Sequence, residues 1–272
     1  MPINVNQLEI PKASAHALKA LQIITSPEPD MDELQRAIMQ DPVLASTLIR
    51  YANSPLYRRS QEITNVPIAL RLLGLKSVRS AIVMATIRSA LPAESDLDRR
   101  ILDHLQEIAM FCKLIAKQCC PAAADDLEFL GLFHDVGMLI LAANTEQEYE
   151  QMLAAAIEQR REVDICEKER FGISHDVVTG RAAHEFRLPE SHQNLLKCFH
   201  SREAINKAET EQEIDTCVVA LAHQLSGAIR NHEVPFKETI CETLPQLQAA
   251  LGLSDEQIES LCEEGKALLH PN

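Results

Sequence analysis

The sequence predicts an all-α protein, and three observations carry that prediction. Nearly every periodic segment spaces its apolar residues by three and four, which marks one face of a helix. Ala and Leu abound, whereas aromatics make up 4% and Trp is absent, a balance that favours helix packing over a sandwich or barrel. No segment shows a convincing period-two strand pattern, and no internal repeat or low-complexity tract interrupts the helical reading. The predicted architecture is an N-terminal helical lobe packed on a helical bundle.

Taken in order, Asp30 is placed to cap a helix with Glu33 completing a capping box, and Met31, Leu34 and Ile38 share its face. Asp41-Pro42 is a fresh start, an acidic cap followed by Pro at the first helical position, leading Leu44, Leu48 and Tyr51. After the break at ANSPLY, a helix starting near Pro67 carries Ile68, Leu72 and Leu75 past Gly74, and another from Ser77 to about Ala90 turns Val78, Ile82 and Ala85 inward. A helix over 98–119 bears His104, Ile108, Phe111 and Ile115. CCPAAADD is a turn, with Asp125 or Asp126 able to cap the helix carrying EFLGLFHDVG. Residues 145–161 read as an acidic amphipathic helix, followed by helices over 174–186, 189–199, 213–230 and 235–250. The last begins at Ser254, with Gln257 completing a second capping box.

Charge divides the chain. Its net −14 splits into +2 over residues 1–94 and −16 over residues 95–272, and the polar stretch LPAESDLD (91–98) coincides with the change. Lobes of 1–94 and 95–272 are therefore expected. An acidic whole weighs against a nucleic-acid partner, because a phosphate backbone requires a basic surface. ALRLLGLKSVRSAI could still be a helix-turn-helix, but Arg71, Lys76 and Arg79 would be its whole basic face. The apolar runs end well short of ~18 residues, so no membrane span is expected. MPINVNQLEIPKASAH has no signal-peptide pattern, and the eight scattered Cys include no C-x-x-C pair. Reduced core cysteines and a cytoplasmic location follow as expectations.

The chemistry concentrates in FLGLFHDVGMLIL (129–141), where His134 and Asp135 sit inside an apolar run. Burying an imidazole beside a carboxylate is costly unless a hydrogen-bond network or a cation satisfies them. Adjacent helical residues point about 100° apart, yet near a helix end before Gly137 both can turn toward one point. Nitrogen and carboxylate donors suit zinc, manganese or iron better than magnesium or calcium. His104, His175, His200 and His223 recur about one per helix in apolar surroundings, the way a bundle assembles a metal site. Each also reads as a satisfied core histidine or a helix-terminal cation. His16, His184, His192, His232 and His270 read as surface residues.

Several segments together carry a family resemblance. DPVLASTLIRYANSPLY and ALRLLGLKSVR resemble the N-terminal lobe of HDOD domains, a branch related to the HD superfamily of metal-dependent phosphohydrolases. EFLGLFHDVGMLIL resembles that family's His-Asp segment, and ERFGISHDVVTGRAAHEFRLP resembles the segment after it. The resemblance runs over roughly residues 5–235 and makes the second lobe an HD-like bundle. It implies that His104, His134 and Asp135 match three metal ligands of the catalytic relatives. His223 stands where a later Asp is expected, and His175 and His200 match plausible outer or second-site positions. Phe199 stands where a paired His is expected, and Met138 where a phosphate-binding Lys is common. The GYP segment of cyclic-dinucleotide phosphodiesterases is absent.

The resemblance implies a bacterial signal-transduction output or adaptor module without catalysis, in which His134 and Asp135 are held by hydrogen bonds with no metal or hold an inert ion; from its length the chain is expected to stand alone, without a regulatory partner domain. It would work through protein partners in a signalling pathway, with a small phosphorylated ligand as a further option and no DNA or membrane. The alternative is a metal-dependent phosphohydrolase acting on a nucleotide or cyclic dinucleotide. In that reading one divalent transition metal (Zn, Mn or Fe) is held by His104, His134, Asp135 and His223, with Asp135 also orienting a water.

Overall fold

The computed structural model describes residues 8–10, 14–57, 61–91, 95–145, 147–159, 161–186, 188, 190–196, 209–229 and 244–269. Among them every regular element is helical and there is no strand, as the spacing predicts. No helix among the described residues is long and apolar enough to cross a membrane. The chain forms two compact units, one of Pro11–Ala93 and one of Glu94–His270 with Met1–Ile10. The N-terminal segment joins the second unit through a reciprocal pair: Glu9 N–H donates to Asn144 Oδ1 at 3.0 Å, and Asn144 Nδ2 donates to Glu9 O at 3.1 Å.

The smaller unit contains α1 (Ala15–Ile24), α2 (Met31–Met39), α3 (Pro42–Ala52) and α4 (Val66–Ala90). Asp30 caps α2, accepting from the N–H groups of Asp32 and Glu33 at 2.9 Å each. Asp41 caps α3 through Val43 and Leu44 and also accepts from Ser14 Oγ at 2.7 Å, while Ser14 itself caps α1. Burial pushes the Asp41 carboxyl up, but these hydrogen bonds outweigh it and leave the group below its ordinary value. Within α4, Gly74 adopts φ 71° and ψ 168° and alone separates two helical runs. A helix-turn-helix needs a turn of about three to four residues, so this segment is a kinked helix instead.

Val78, Ile82 and Ala85 are buried as expected, and so are Leu34 and Ile38. The first run of α4 departs from the expectation: Ile68 and Leu75 are exposed, while Val66, Ala69, Leu70 and Leu73 are buried. Both sets fit a three-and-four spacing, and packing on α3 selects the second. Met31 likewise stays exposed at the first position of α2.

The larger unit begins with α5 (Asp96–Cys119), closed at its N-terminus by a Ser95–Asp98 capping box. A short 3-10 turn, Pro121–Ala123, leads to α6 (Ala124–Phe133). Asp125 and Asp126 lie inside the first turn of α6 rather than at its cap, which is Ala123. There they complement the positive helix end without closing it. Lys113 of α5 reaches Glu128 Oε2 at 2.7 Å and Asp125 Oδ1 at 2.8 Å, so a largely buried ion pair joins the two helices. Gly131 permits their close approach, since a Cβ there would lie 2.7 Å from Ala109 Cα.

Then follow α7 (Val136–Thr145), α8 (Gln147–Glu158), α9 (Val163–Phe171), α10 (His175–Glu185) and α11 (Glu190–Leu195). The described part of the chain closes with α12 (Glu211–Ile229), α13 (Leu244–Ala250) and α14 (Asp255–Leu269). Ser254 and Gln257 form the expected capping box on α14. Helices α1 and α9 have no counterpart among the expected helices, and most of the expected 235–250 helix lies outside the described residues. Two further expectations need correction. Cys119, Cys120 and Cys262 are only half-buried, unlike Cys112, Cys166 and Cys217. His192 is half-buried against the edge of Phe129, whereas His16 and His184 are exposed.

Candidate metal centre

Four elements of the larger unit bring five predicted residues together. His104 comes from the middle of α5 and His223 from α12, helices that pack on each other. His134 and Asp135 occupy the two-residue junction between α6 and α7. Across this interruption the two adjacent side chains meet at one point, whereas neighbouring residues of a continuous helix point about 100° apart. His175 opens α10. None of the five is more than 8% exposed, and Asp135 is fully buried.

His134 Nε2 lies 3.0 Å from His223 Nε2 and 3.1 Å from Asp135 Oδ2. His104 Nε2 lies 3.6 Å from that same Asp135 oxygen. One donor atom from each of His104, His134 and His223 falls within 4.8 Å of the others. A transition metal about 2 Å from each ligand sets neighbouring donors roughly 3.3 Å apart in a tetrahedron, so the spacing fits.

Hydrogen bonding sharpens the fit. His134 Nδ1 sits 2.8 Å from Gly131 O. A carbonyl can only accept, so Nδ1 carries the proton, and in the neutral ring Nε2 presents its lone pair to the centre. That lone pair faces a carboxylate oxygen and a second imidazole nitrogen, and only a proton or a metal ion between them removes the repulsion. Three nitrogens and one carboxylate oxygen are a donor set for zinc, manganese or iron. His104, His134, His223 and Asp135 could therefore hold one such ion.

His175 stands behind this set. Its Nε2 is 3.4 Å from Asp135 Oδ1, the other oxygen of that carboxylate, and its Nδ1 is 2.7 Å from Glu167 Oε2. Gly137 places it there: a Cβ on Gly137 would overlap the His175 carbonyl oxygen, and Gly137 N–H donates to Thr179 Oγ1 at 2.9 Å. Met138 is core, 1% exposed. His200, Phe199, His232 and His270 lie outside the described residues.

Sequence reasoning missed Glu167 and Tyr149. Glu167 of α9 is fully buried and accepts from His175 N–H at 2.7 Å and from Tyr149 Oη–H of α8 at 2.5 Å. Burial and the Glu167 carboxylate push the Tyr149 phenol well above its ordinary value, so it remains a donor. A charged residue inside EKERF gives no hint of burial while the helix containing it goes unassigned. The more conspicuous Glu169, in the quoted ERFGISH segment, is exposed and pairs with Arg161 at 2.7 Å.

Known proteins share this fold. The HDOD domain family matches residues 10–202. An HDOD domain protein with unknown function from Geobacter sulfurreducens superposes with TM-score 0.71 at 24% identity, covering 96% of this chain and 92% of its own. A "Putative phosphohydrolase" from Shewanella amazonensis superposes with TM-score 0.70 at 17% identity, covering 95% and 93%. A "Putative signal transduction protein" from Marinobacter aquaeolei gives 0.73 at 17% identity, covering 99% of this chain and 60% of that one. At these identities the likeness establishes the fold. An uncharacterized protein of Treponema pallidum is 20% identical over 198 residues, 71% of this chain but 38% of that protein's length.

Proposed function

The chain belongs to the HDOD domain family, and from that premise we propose that it is a signal-transduction output or adaptor module working through protein partners. Its buried centre holds one divalent transition metal (zinc, manganese or iron) in a structural role. The observation that carries this reading is the approach of both His223 Nε2 and Asp135 Oδ2 to His134 Nε2, at 3.0 and 3.1 Å, with the His134 tautomer set by Gly131 O. With His104, the residues present would supply four donors to one ion. His223 in place of the expected carboxylate removes one negative charge, and buried Met138 puts an apolar chain where catalytic relatives carry a cation. The "Putative signal transduction protein" neighbour supports the signalling half of the proposal.

A second reading, a phosphohydrolase acting on a nucleotide or cyclic dinucleotide, draws on the His-Asp pair itself. A bound ion would there polarise a phosphoryl oxygen and acidify water, with Asp135 the residue best placed to orient a reactant.

The test is metal analysis of the native protein by mass spectrometry beside a His134→Ala control, with turnover assayed on nucleotide and cyclic-dinucleotide panels. We expect one ion per chain in the parent, its loss in the variant, and no turnover. Turnover that disappears with the ion would move the assignment to the phosphohydrolase. A parent protein without any ion would sink the metal centre.

A further inference from the structure

Tyr149, Glu167 and His175 lie outside the proposed ligand set, yet two hydrogen bonds and a longer imidazole–carboxylate approach join them into a buried series that ends on one of its members. The links are Tyr149 Oη to Glu167 Oε1 at 2.5 Å, Glu167 Oε2 to His175 Nδ1 at 2.7 Å, and His175 Nε2 to Asp135 Oδ1 at 3.4 Å. Each of the four is at most 1% exposed. They come from α8, α9, α10 and the α6–α7 junction, so tertiary packing of four separate segments builds the chain.

Its geometry addresses a specific need. The terminal torsion of an Asp side chain is broad, so the residue itself does not fix the plane in which its carboxylate is presented to a ligand. Here Oδ2 faces His134 and His104, while Oδ1 faces His175. A ring 3.4 Å from Oδ1, carrying a proton on Nε2 as well as the one that Nδ1 donates to Glu167, would restrain the carboxylate from rotating. That ring is itself pinned: Glu167 Oε2 accepts from both Nδ1 and the backbone N–H of His175, at 2.7 Å each. Gly137 leaves the His175 carbonyl just enough room against α7.

We propose that Tyr149, Glu167 and His175 are positioning residues that set Asp135 as an oriented metal ligand, with Glu167 as the pivot. The proposal rests on the metal reading above and extends it to residues that touch no ion. Outer partners of metal ligands are worth about 10–100-fold in metal affinity.

The experiment measures zinc binding by chelator competition, and the visible spectrum of cobalt(II)-loaded protein, in the full chain carrying Glu167→Gln or Tyr149→Phe. Gln keeps the size and an acceptor oxygen but removes the charge; Phe removes a single oxygen. We expect Glu167→Gln to weaken zinc binding about 10–100-fold and Tyr149→Phe, one link further out, about two- to tenfold. The cobalt spectrum, which reports coordination geometry and not stability, should shift in both. A folded Glu167→Gln protein with the parent's zinc affinity and cobalt spectrum would overturn the proposal while leaving the metal centre standing. If that variant fails to fold, Tyr149→Phe decides by the same two readouts. A parent that binds neither zinc nor cobalt would remove the metal reading, and this chain of positioning with it.

Discussion

At the scale of single residues, burial decides what a polar side chain does. Asp135 and Asp215 are both buried acids, but three imidazoles surround the first, and other carboxylates crowd the second. Burial, reinforced by Glu211 and Asp126, pushes the Asp215 carboxyl up to about 6. The native state therefore keeps a proton that the unfolded chain releases near 4, so this residue costs stability as pH rises from about 4 to 6, and the cost is fully present above 6. Asp215→Asn removes the ionisation. We expect it to stabilise the protein by about 1–3 kcal/mol at pH 7.5 and to change little at pH 4, read from urea melts at both values. An equal effect at the two pH values would show that the carboxylate charge is not responsible.

At the scale of elements, two glycines with opposite roles separate packing from backbone strain. Gly74 lies at φ 71° and ψ 168° with nothing within 4 Å of where a Cβ would stand, so an added methyl meets only the backbone penalty of that nearly glycine-only region, about 1–3 kcal/mol. Gly137 has an ordinary helical backbone, but its Cβ would collide with the His175 carbonyl. A backbone atom cannot swing aside as a side chain can, so α7 and α10 must separate. We expect Gly137→Ala to cost about 2–3 kcal/mol or more and to reduce metal retention, whereas Gly74→Ala leaves retention unchanged. Thermal melts and metal analysis of the two variants check both halves of that expectation.

At the scale of the whole molecule, an ion bound only by the folded state stabilises it by mass action, by about 4 kcal/mol at a thousandfold excess over Kd. In a domain of 150–250 residues each kcal/mol moves Tm by roughly 2–4 °C. Excess chelator should accordingly lower the transition of the unit containing α5–α12 by about 8–16 °C, and zinc should restore it. A melting curve indifferent to chelator would place protons, not a metal, between His134, His223 and Asp135. The two compact units make two calorimetric transitions the expected baseline for this measurement.

Local rules written into the order of amino acids determined much of this molecule. Three-and-four spacing identifies most of its helices, Asp30, Asp41 and Ser254 mark helix starts, and His104, His134, Asp135 and His223 stand out as imidazole and carboxylate groups in apolar surroundings. Those features depend on neighbours within about one helical turn, so they are legible without a fold. What only tertiary structure decided depends on neighbours far apart in the chain. Packing on α3 selected the buried face of α4, and the junction between α6 and α7 turned two adjacent side chains to one point. The burial of Glu167 and Tyr149 was likewise hidden, because charged neighbours surround Glu167 in the unassigned α9 and acidic ones flank Tyr149 in α8. A charge becomes a buried partner only when another helix covers it, and the choice of covering helix is a property of the whole packing.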